Sequence, residues 1–429
     1  MLHRRSFVVL GLTGFALLAV SALVIVLRSP TLNAGIPLQA SGFTENELFE
    51  RGRYLVTAGN CASCHTSVSG EFMAGGVAFK TEFGTIYSTN ITPDPETGIG
   101  GWTDREFLNA LRYGVRPNGE HLYPAFPYTS LALVTDQDIL AMFAYMQRVP
   151  AVKQTPPDNS LGFPYNLRSL MAFWKFLYFK PEVYEPVAER SAEWNRGAYL
   201  VEGLAHCSAC HTPRNRLGAK SQSQHMGGGE YLDRIPGGEY RHWSAPSLTS
   251  AGHGLDLWEH DDLSQYLLTG ENRFLQTFGP MNDVILNSTR YLKEADIRAM
   301  ATYLKALPSV DKAPSTPPSA ELMGQGQTIY NLHCGTCHLP SGEGDTDMGP
   351  ALNSASLVVQ SDNPASMINA ILYGPQLPDP SGESRWLEPM KPYQYLLTNE
   401  EVAAVASFIR NSWSNDAGQV SLAQVAQQR

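Results

Sequence analysis

Three short stretches hold all six cysteines of this 429-residue chain: Cys61-Ala62-Ser63-Cys64-His65, Cys207-Ser208-Ala209-Cys210-His211 and Cys334-Gly335-Thr336-Cys337-His338. In each, two thiols three residues apart are followed at once by an imidazole. A lone pair of this kind would fit a thioredoxin-like redox couple or half of a zinc site. Three copies, each with its His and with no cysteine left for a disulfide or a catalytic thiol, fit the attachment signature of a c-type haem. Both thiols then add to the vinyl groups of one porphyrin, so they must project from one tight turn. The adjacent His reaches the iron from the same side. The expectation is three covalent haem c groups: one on Cys61 and Cys64, one on Cys207 and Cys210, one on Cys334 and Cys337. His65, His211 and His338 are the expected axial ligands.

A haem that only passes electrons usually has a second axial ligand, and a Met thioether is a common one. Gly279-Pro280-Met281 and Glu388-Pro389-Met390 lie in loops ahead of the last helical pattern of their repeats, with no apolar stripe to account for either Met. Met281 and Met390 are the expected sixth ligands. The first repeat breaks this pattern. Its corresponding stretch, Leu122-Tyr123-Pro124-Ala125-Phe126-Pro127-Tyr128, places Phe126 where the Met should stand, and Phe cannot bind iron. The nearby donors are His121 and Met73, so haem 1 is five-coordinate or takes one of these two. Met142 and Met146 fall inside a helical pattern and read as core. Gly349-Pro350-Ala351-Leu352 resembles the Gly-Pro-x-Leu segment of small class I cytochromes, in which the Pro carbonyl accepts the Nδ1–H of the axial His. Such a bond fixes the ring and raises its basicity. Ser244-Ala245-Pro246-Ser247-Leu248 is expected to do the same for His211, while Trp102, Trp258 and Tyr87 read as propionate partners or, by preference, as core residues.

The elements that must position these groups also repeat. Arg51-Gly52-Arg53-Tyr54-Leu55-Val56 precedes Cys61, Arg196-Gly197-Ala198-Tyr199-Leu200-Val201 precedes Cys207, and the looser Gly326-Gln327-Thr328-Ile329-Tyr330 precedes Cys334. Beyond each haem motif a helical pattern runs to a Gly (Gly114, Gly270, Gly374), as helix C-termini often do. A final helix is predicted over 135–148, 293–307 and 398–413, each with a capping residue or acidic first turn and apolar residues at i, i+3, i+4. Strand signals are few and short. The predicted fold class is all-α: three cytochrome c-like domains in series (43–150, 191–308 and 320–414), preceded by an N-terminal transmembrane or signal helix within 1–30. The joining segments are an aromatic linker at 151–190 and a Pro-rich spacer at 309–319. The polar tail, 415–429, is expected to fray. Within the first linker, the aromatics of 163–180 with interspersed Lys and Arg suit a bilayer interface or a quinone-adjacent surface; the competing reading is a helix packed between domains.

Composition agrees with this organisation. A content of 43% hydrophobic and 17% charged residues describes globular protein, and a net charge of −10 argues against nucleic acid as a partner. His3, Arg4 and Arg5 precede an uncharged run from Ser6 to Leu27. That run is long enough to span a bilayer and longer than the usual secretory core, so a retained anchor is favoured over a cleaved signal. The basic flank keeps the N-terminus cytoplasmic and sends the rest outward. No dinucleotide-binding glycine fingerprint, P-loop or Ser/His/Asp arrangement is present, so no substrate-oxidising site is expected on this chain.

The order of motifs from residue 43 to about 413 resembles one family throughout. It comprises the first Cys-x-x-Cys-His, Ile86-Tyr87-Ser88-Thr89-Asn90-Ile91-Thr92-Pro93-Asp94, Leu122-Tyr123-Pro124-Ala125, Cys207 to His211 with Thr212-Pro213-Arg214, Phe278-Gly279-Pro280-Met281 and the third Cys-x-x-Cys-His. The family is the tri-haem cytochrome c subunit of membrane-bound alcohol, aldehyde, gluconate and fructose dehydrogenases of acetic acid bacteria and other proteobacteria. The resemblance implies an electron-transfer subunit, not an enzyme, on the periplasmic face of the bacterial cytoplasmic membrane. It would take electrons from a catalytic subunit of molybdopterin, flavin or PQQ type, with a small third subunit as a further partner, and pass them to ubiquinone. Family members of the alcohol and gluconate type usually carry Met at the place of Phe126. The Phe version resembles cytochromes that accompany molybdenum-cofactor aldehyde dehydrogenases, which tilts the partner that way. Two other readings compete: a peroxidase-like haem enzyme with an open iron at haem 1, and a redox-silent docking module.

Overall fold

The computed structural model describes residues 42–235, 239–252, 254–312, 314–345, 347–353, 355–375 and 389–429. The predicted N-terminal helix lies outside these residues, and among the described residues no helix is long and apolar enough to cross a membrane.

Each haem motif sits between two helices that cross. In the first repeat, α1 (Glu45–Ala58) packs on α3 (Asp136–Met146), with α2 (Asp104–Tyr113) alongside. After the connecting helix α4 (Leu170–Tyr178), the second repeat pairs α5 (Ala192–Ala198) with α7 (Glu294–Lys305), against α6 (His260–Thr269). In the third, α8 (Ala320–His333) pairs with α10 (Asn399–Arg410), beside α9 (Ala365–Tyr373). The chain sets these boundaries locally. Thr44, Thr103 and Thr398 each close a capping box with a Glu three residues on, satisfying two otherwise orphaned donors per helix. Helices α2 and α6 stop at Gly114 and Gly270 in the left-handed region, which only glycine enters without strain.

One glycine per repeat lets the crossing helices meet. A Cβ on Gly52, Gly197 or Gly326 would lie closer than 3.0 Å to a backbone carbonyl of the facing helix, at Ala141, Ala299 and Ala404 respectively. The same Cβ would strike the side chain four residues further along, Tyr145, Tyr303 and Phe408. The crossing is therefore one construction built three times.

The all-α expectation is corrected by two antiparallel sheets. Strands β1 (Ala78–Thr81), β2 (Gly84–Tyr87) and β3 (Ser160–Leu161) form one, in register Ala78↔Tyr87 and Thr85↔Ser160. Strands β4 (Gly229–Arg234) and β5 (Tyr240–Ala245) form the other, in register Gly229↔Ala245. The hairpins β1–β2 and β4–β5 each lie in the long loop that follows a haem motif, and β3 joins the first from the linker after α3, so the fold is helical with small sheets inserted. These strands are two to six residues long, and their burial does not alternate, so the period-2 signal that reveals a strand is absent.

The first two repeats share one continuous buried cluster, from Leu55 and Ile139 to Leu200 and Leu304. Their contact is reciprocal. Tyr54 Oη donates to Asp296 (2.6 Å) while Tyr199 Oη donates to Asp138 (2.6 Å). Each Asp also holds the Arg of its own repeat, Arg51 on Asp138 and Arg196 on Asp296. The Arg-Gly-x-Tyr motif is thus an interface device: its Arg binds at home and its Tyr reaches across. The third repeat has its own core around Tyr330, Ile368 and Val405. It meets the second where Ser366 and Ser244 exchange hydrogen bonds and where Trp258 Nε1 donates to Ala355 O.

Helix α4 packs against the first two repeats on one side and is exposed on the other. Its inner side buries Ala172, Trp174 and Lys175, with Trp174 Nε1 donating to Leu217 O of the second repeat. Its outer side exposes Leu170, Phe173, Phe176 and Leu177. The polar tail does not fray as expected. It forms α11 (Leu422–Gln428), anchored by buried Val420 and Val425 on the third core.

Candidate haem sites

Each Cys-x-x-Cys-His motif coils into a short helical turn: Cys61–His65, Ser208–His211 and Gly335–His338. The six thiols are unpaired with one another. Among the described residues no group of three His, Cys, Asp or Glu side chains converges as a metal ion requires.

The three His rings are held identically. Nδ1 of His65 lies 2.7 Å from Thr89 O, Nδ1 of His211 2.7 Å from Pro246 O, and Nδ1 of His338 2.8 Å from Pro350 O. A carbonyl only accepts, so Nδ1 carries the proton and the lone pair sits on Nε2, the tautomer a haem iron needs. Burial lowers all three imidazole pKa values and keeps the rings neutral, although the carbonyl bond opposes this. The bonds to Pro246 and Pro350 fall where the sequence places them. Thr89 went unrecognised because no Pro marks it, although Thr89-Asn90-Ile91 aligns with Pro246-Ser247-Leu248 and Pro350-Ala351-Leu352.

Backbone hydrogen bonds fix the register of the other candidate residues. Leu122 N donates to Gly114 O, and Thr277 N to Gly270 O, each Gly being the stop of its repeat's middle helix. Four residues beyond each donor stand Phe126 and Met281. Both are partly buried against the shared core. Phe126 therefore stands as far past its backbone bond as Met281 does past its own, and against the same core. Met281 opens a short helix, Met281–Asn287, rather than lying in a loop as expected. Met390 is partly buried against the third core.

Met73 is buried and left-handed (φ 62°), and so is Met226 (φ 56°). Their environments match bond for bond. Met73 N donates to Thr66 Oγ1 and Met226 N to Thr212 Oγ1. Two residues on, Gly75 N and Gly228 N donate to His65 O and His211 O. His121 is buried, its Nδ1 3.0 Å from Lys175 Nζ, which also donates to Tyr113 O and Gly114 O at 2.7 Å each. An ammonium has three donors and meets three acceptors here, at the carbonyl end of α2 where a cation is favoured. Burial lowers the Lys175 pKa to about 7, and burial with the adjacent Lys175 lowers that of His121 to about 4. Met142 and Met146 are buried in α3 as core residues.

These residues fit a haem, and two orphaned buried atoms strengthen the fit. Tyr128 Oη and Trp243 Nε1 lack a hydrogen-bond partner. The first belongs to a ring whose centroid is 6.5 Å from that of Phe126. The second belongs to an indole pressed on Gly279, two residues before Met281. A porphyrin propionate would satisfy such a donor. The first two sites also face each other. His206 Nε2 lies 3.3 Å from Gly59 O, and Asn287 Nδ2 donates to Ser63 Oγ at 2.9 Å. Residues just before Cys207 thus touch residues just before Cys61, a contact the sequence did not announce.

The cytochrome c family model matches residues 324–413. Across 381 residues the chain is 39% identical to a nicotinate dehydrogenase subunit of Pseudomonas putida, covering 86% of this chain and 30% of that longer protein. It is 36% identical over 414 residues to the cytochrome c subunit of alcohol dehydrogenase (quinone) of Gluconacetobacter polyoxogenes, covering 93% of this chain and 88% of the relative. It is 37% identical over 388 residues to the gluconate 2-dehydrogenase cytochrome c subunit of Pantoea cypripedii, covering 86% of each. With Cys-x-x-Cys-His turns and tautomer-fixed His rings of the kind that hold covalent haem c, this chain belongs to the family of cytochrome c subunits of dehydrogenase complexes and is an electron-transfer subunit.

Proposed function

We propose that the chain relays electrons through three haem c groups, one in each repeat (43–150, 191–308 and 320–414), from a catalytic dehydrogenase subunit to ubiquinone. The observation that carries this reading is the threefold recurrence of a Cys-x-x-Cys-His turn whose His donates Nδ1–H to a backbone carbonyl. Each haem supplies a one-electron change at its iron. The protein supplies two thioether links, an oriented His, and a Met thioether from Met281 and Met390. The contact between the first two motif turns supports direct exchange between haems 1 and 2.

The chain works at the outer face of the bacterial cytoplasmic membrane, touching the lipid interface with the outer side of α4. That side presents Phe173 and Phe176 to solvent, Phe176 at 68% exposure, and Tyr178 and Lys180 flank it. The helix is only nine residues long, so it would lie on the bilayer and not cross it. The partner leans toward a molybdopterin-type dehydrogenase. Phe126 tilts it that way, and the similarity to a nicotinate dehydrogenase subunit widens the partner class beyond alcohols and sugars.

The test is to tag this chain, solubilise membranes gently, and identify the protein and cofactor that co-purify. A molybdopterin subunit is the expected result. A flavin or PQQ subunit would return the chain to the sugar or alcohol branch, and isolation alone under several detergents would overturn the subunit reading.

A further inference from the structure

Resting on the assignment of a haem to each repeat, we infer that the first repeat supplies one axial ligand only, His65. The opposite axial position, at Phe126, is a binding site for a small neutral diatomic molecule. The chemistry follows from what the structure puts at that position. Phe126 stands four residues past the Leu122-to-Gly114 bond, as Met281 stands four residues past the Thr277-to-Gly270 bond. Both side chains are partly buried against the same core, but the phenyl ring has no lone pair to offer an iron. It has no hydrogen-bond donor or charge to hold an anion either. An apolar ring beside an open axial position therefore favours a neutral ligand over a charged one.

The two other donors near this haem have duties that the second repeat explains. Met73 matches Met226 in backbone conformation, burial and hydrogen bonding. The second repeat keeps Met226 although it has Met281, so this position is a turn-and-core residue common to both repeats. His121 bridges to Val115 as Gln276 bridges to Glu271, five residues ahead of Phe126 and Met281 respectively. A Gln at that place in the second repeat marks it as structural. In the first repeat its ring is engaged by Lys175, reaching in from α4. Neither residue is placed as a substitute for the missing thioether.

The test uses the full chain, haem-loaded and reduced, titrated with carbon monoxide and followed by its absorption spectrum. Haem content is measured first by the pyridine haemochrome method. Fewer than three haems per chain would defeat the tri-haem reading itself, separately from the present inference. With three present, one carbon monoxide per chain is expected. Phe126→Met should abolish that binding and add a methionine-to-iron band in the oxidised spectrum. Met281→Phe should raise the stoichiometry from one to two, which keeps the test decisive if the first variant misfolds. His121→Gln and Met73→Leu should leave it at one. No carbon monoxide binding by the wild-type chain would overturn the inference, and so would a second binding site appearing in either of the last two variants.

Discussion

Asp296 gathers three donors from two repeats: Arg196 through Nε (2.8 Å) and a terminal nitrogen (2.7 Å), and Tyr54 Oη (2.6 Å). Burial pushes its pKa up, but the hydrogen bonds from Arg196 and Tyr54 outweigh burial and hold it below the ordinary 3.8. Between the lowered folded value and 3.8, the unfolded chain binds more protons than the folded one. The contribution of Asp296 is therefore complete above 3.8 and lost as pH falls through the folded value. Charged hydrogen bonds of this kind contribute about 2 kcal/mol. Asp296→Asn is expected to lower unfolding stability by about that amount at neutral pH. In urea titrations the gap from wild type should shrink as the medium is made strongly acidic. A gap independent of pH would mean that the carboxylate charge is not what joins the repeats. Asp138 offers the mirror-image site, with Arg51 and Tyr199 in place of Arg196 and Tyr54.

The helix crossings turn on single glycines, and α8 contains its own control. Gly326 meets Ala404 and Phe408 of α10, whereas a Cβ on Gly324, two residues earlier, would find nothing within 4 Å. Gly326→Ala must push the helices apart and is expected to cost about 1–3 kcal/mol or more. Gly324→Ala should stabilise by about 0.5–1 kcal/mol, because alanine loses less backbone freedom in a helix. Thermal melts of the two haem-loaded variants check this, and equal effects would refute the crossing argument. The same elements show what could be read in the sequence. The repeated Gly-containing stretch before each haem motif, the capping Thr residues and the Gly stops are local codes, so helix positions were legible. The Pro246 and Pro350 carbonyls were legible because a Pro marked each. The hairpins were not, because strands such as Gly84–Tyr87 are half-buried throughout and carry no alternation. The tail was misjudged because two buried valines, Val420 and Val425, anchor an otherwise polar stretch. The His206 contact with Gly59 depends on two repeats meeting, which no local pattern encodes.

Among the described residues the buried apolar side chains fall into two large clusters and one small one, the small one joining Tyr128, Trp174 and Ala219. Leu55, Ile139, Leu200 and Leu304 belong to one buried cluster that ignores the boundary between the first two repeats. Tyr330, Ile368 and Val405 form another. Cooperative units follow buried apolar contact, not repeat number, because a segment that cannot bury its apolar face alone does not unfold alone. The first and second repeats are further tied by the crossed Tyr–Asp bonds and by Ser288 Oγ donating to Ala58 O. The bonds described between the second and third are the Ser244–Ser366 exchange, Trp258 to Ala355 and Asn369 to His242 O, each with a backbone group at one end. Calorimetry of the haem-loaded chain is therefore expected to resolve two transitions. The larger belongs to the first two repeats together, the smaller to the third. Replacing both Tyr54 and Tyr199 with Phe should loosen the larger unit and broaden or split its transition. The smaller one should stay in place, since neither Tyr touches the third core. Three separate transitions in the unmodified protein would show that each haem motif organises its own domain and that the shared core contributes little cooperativity.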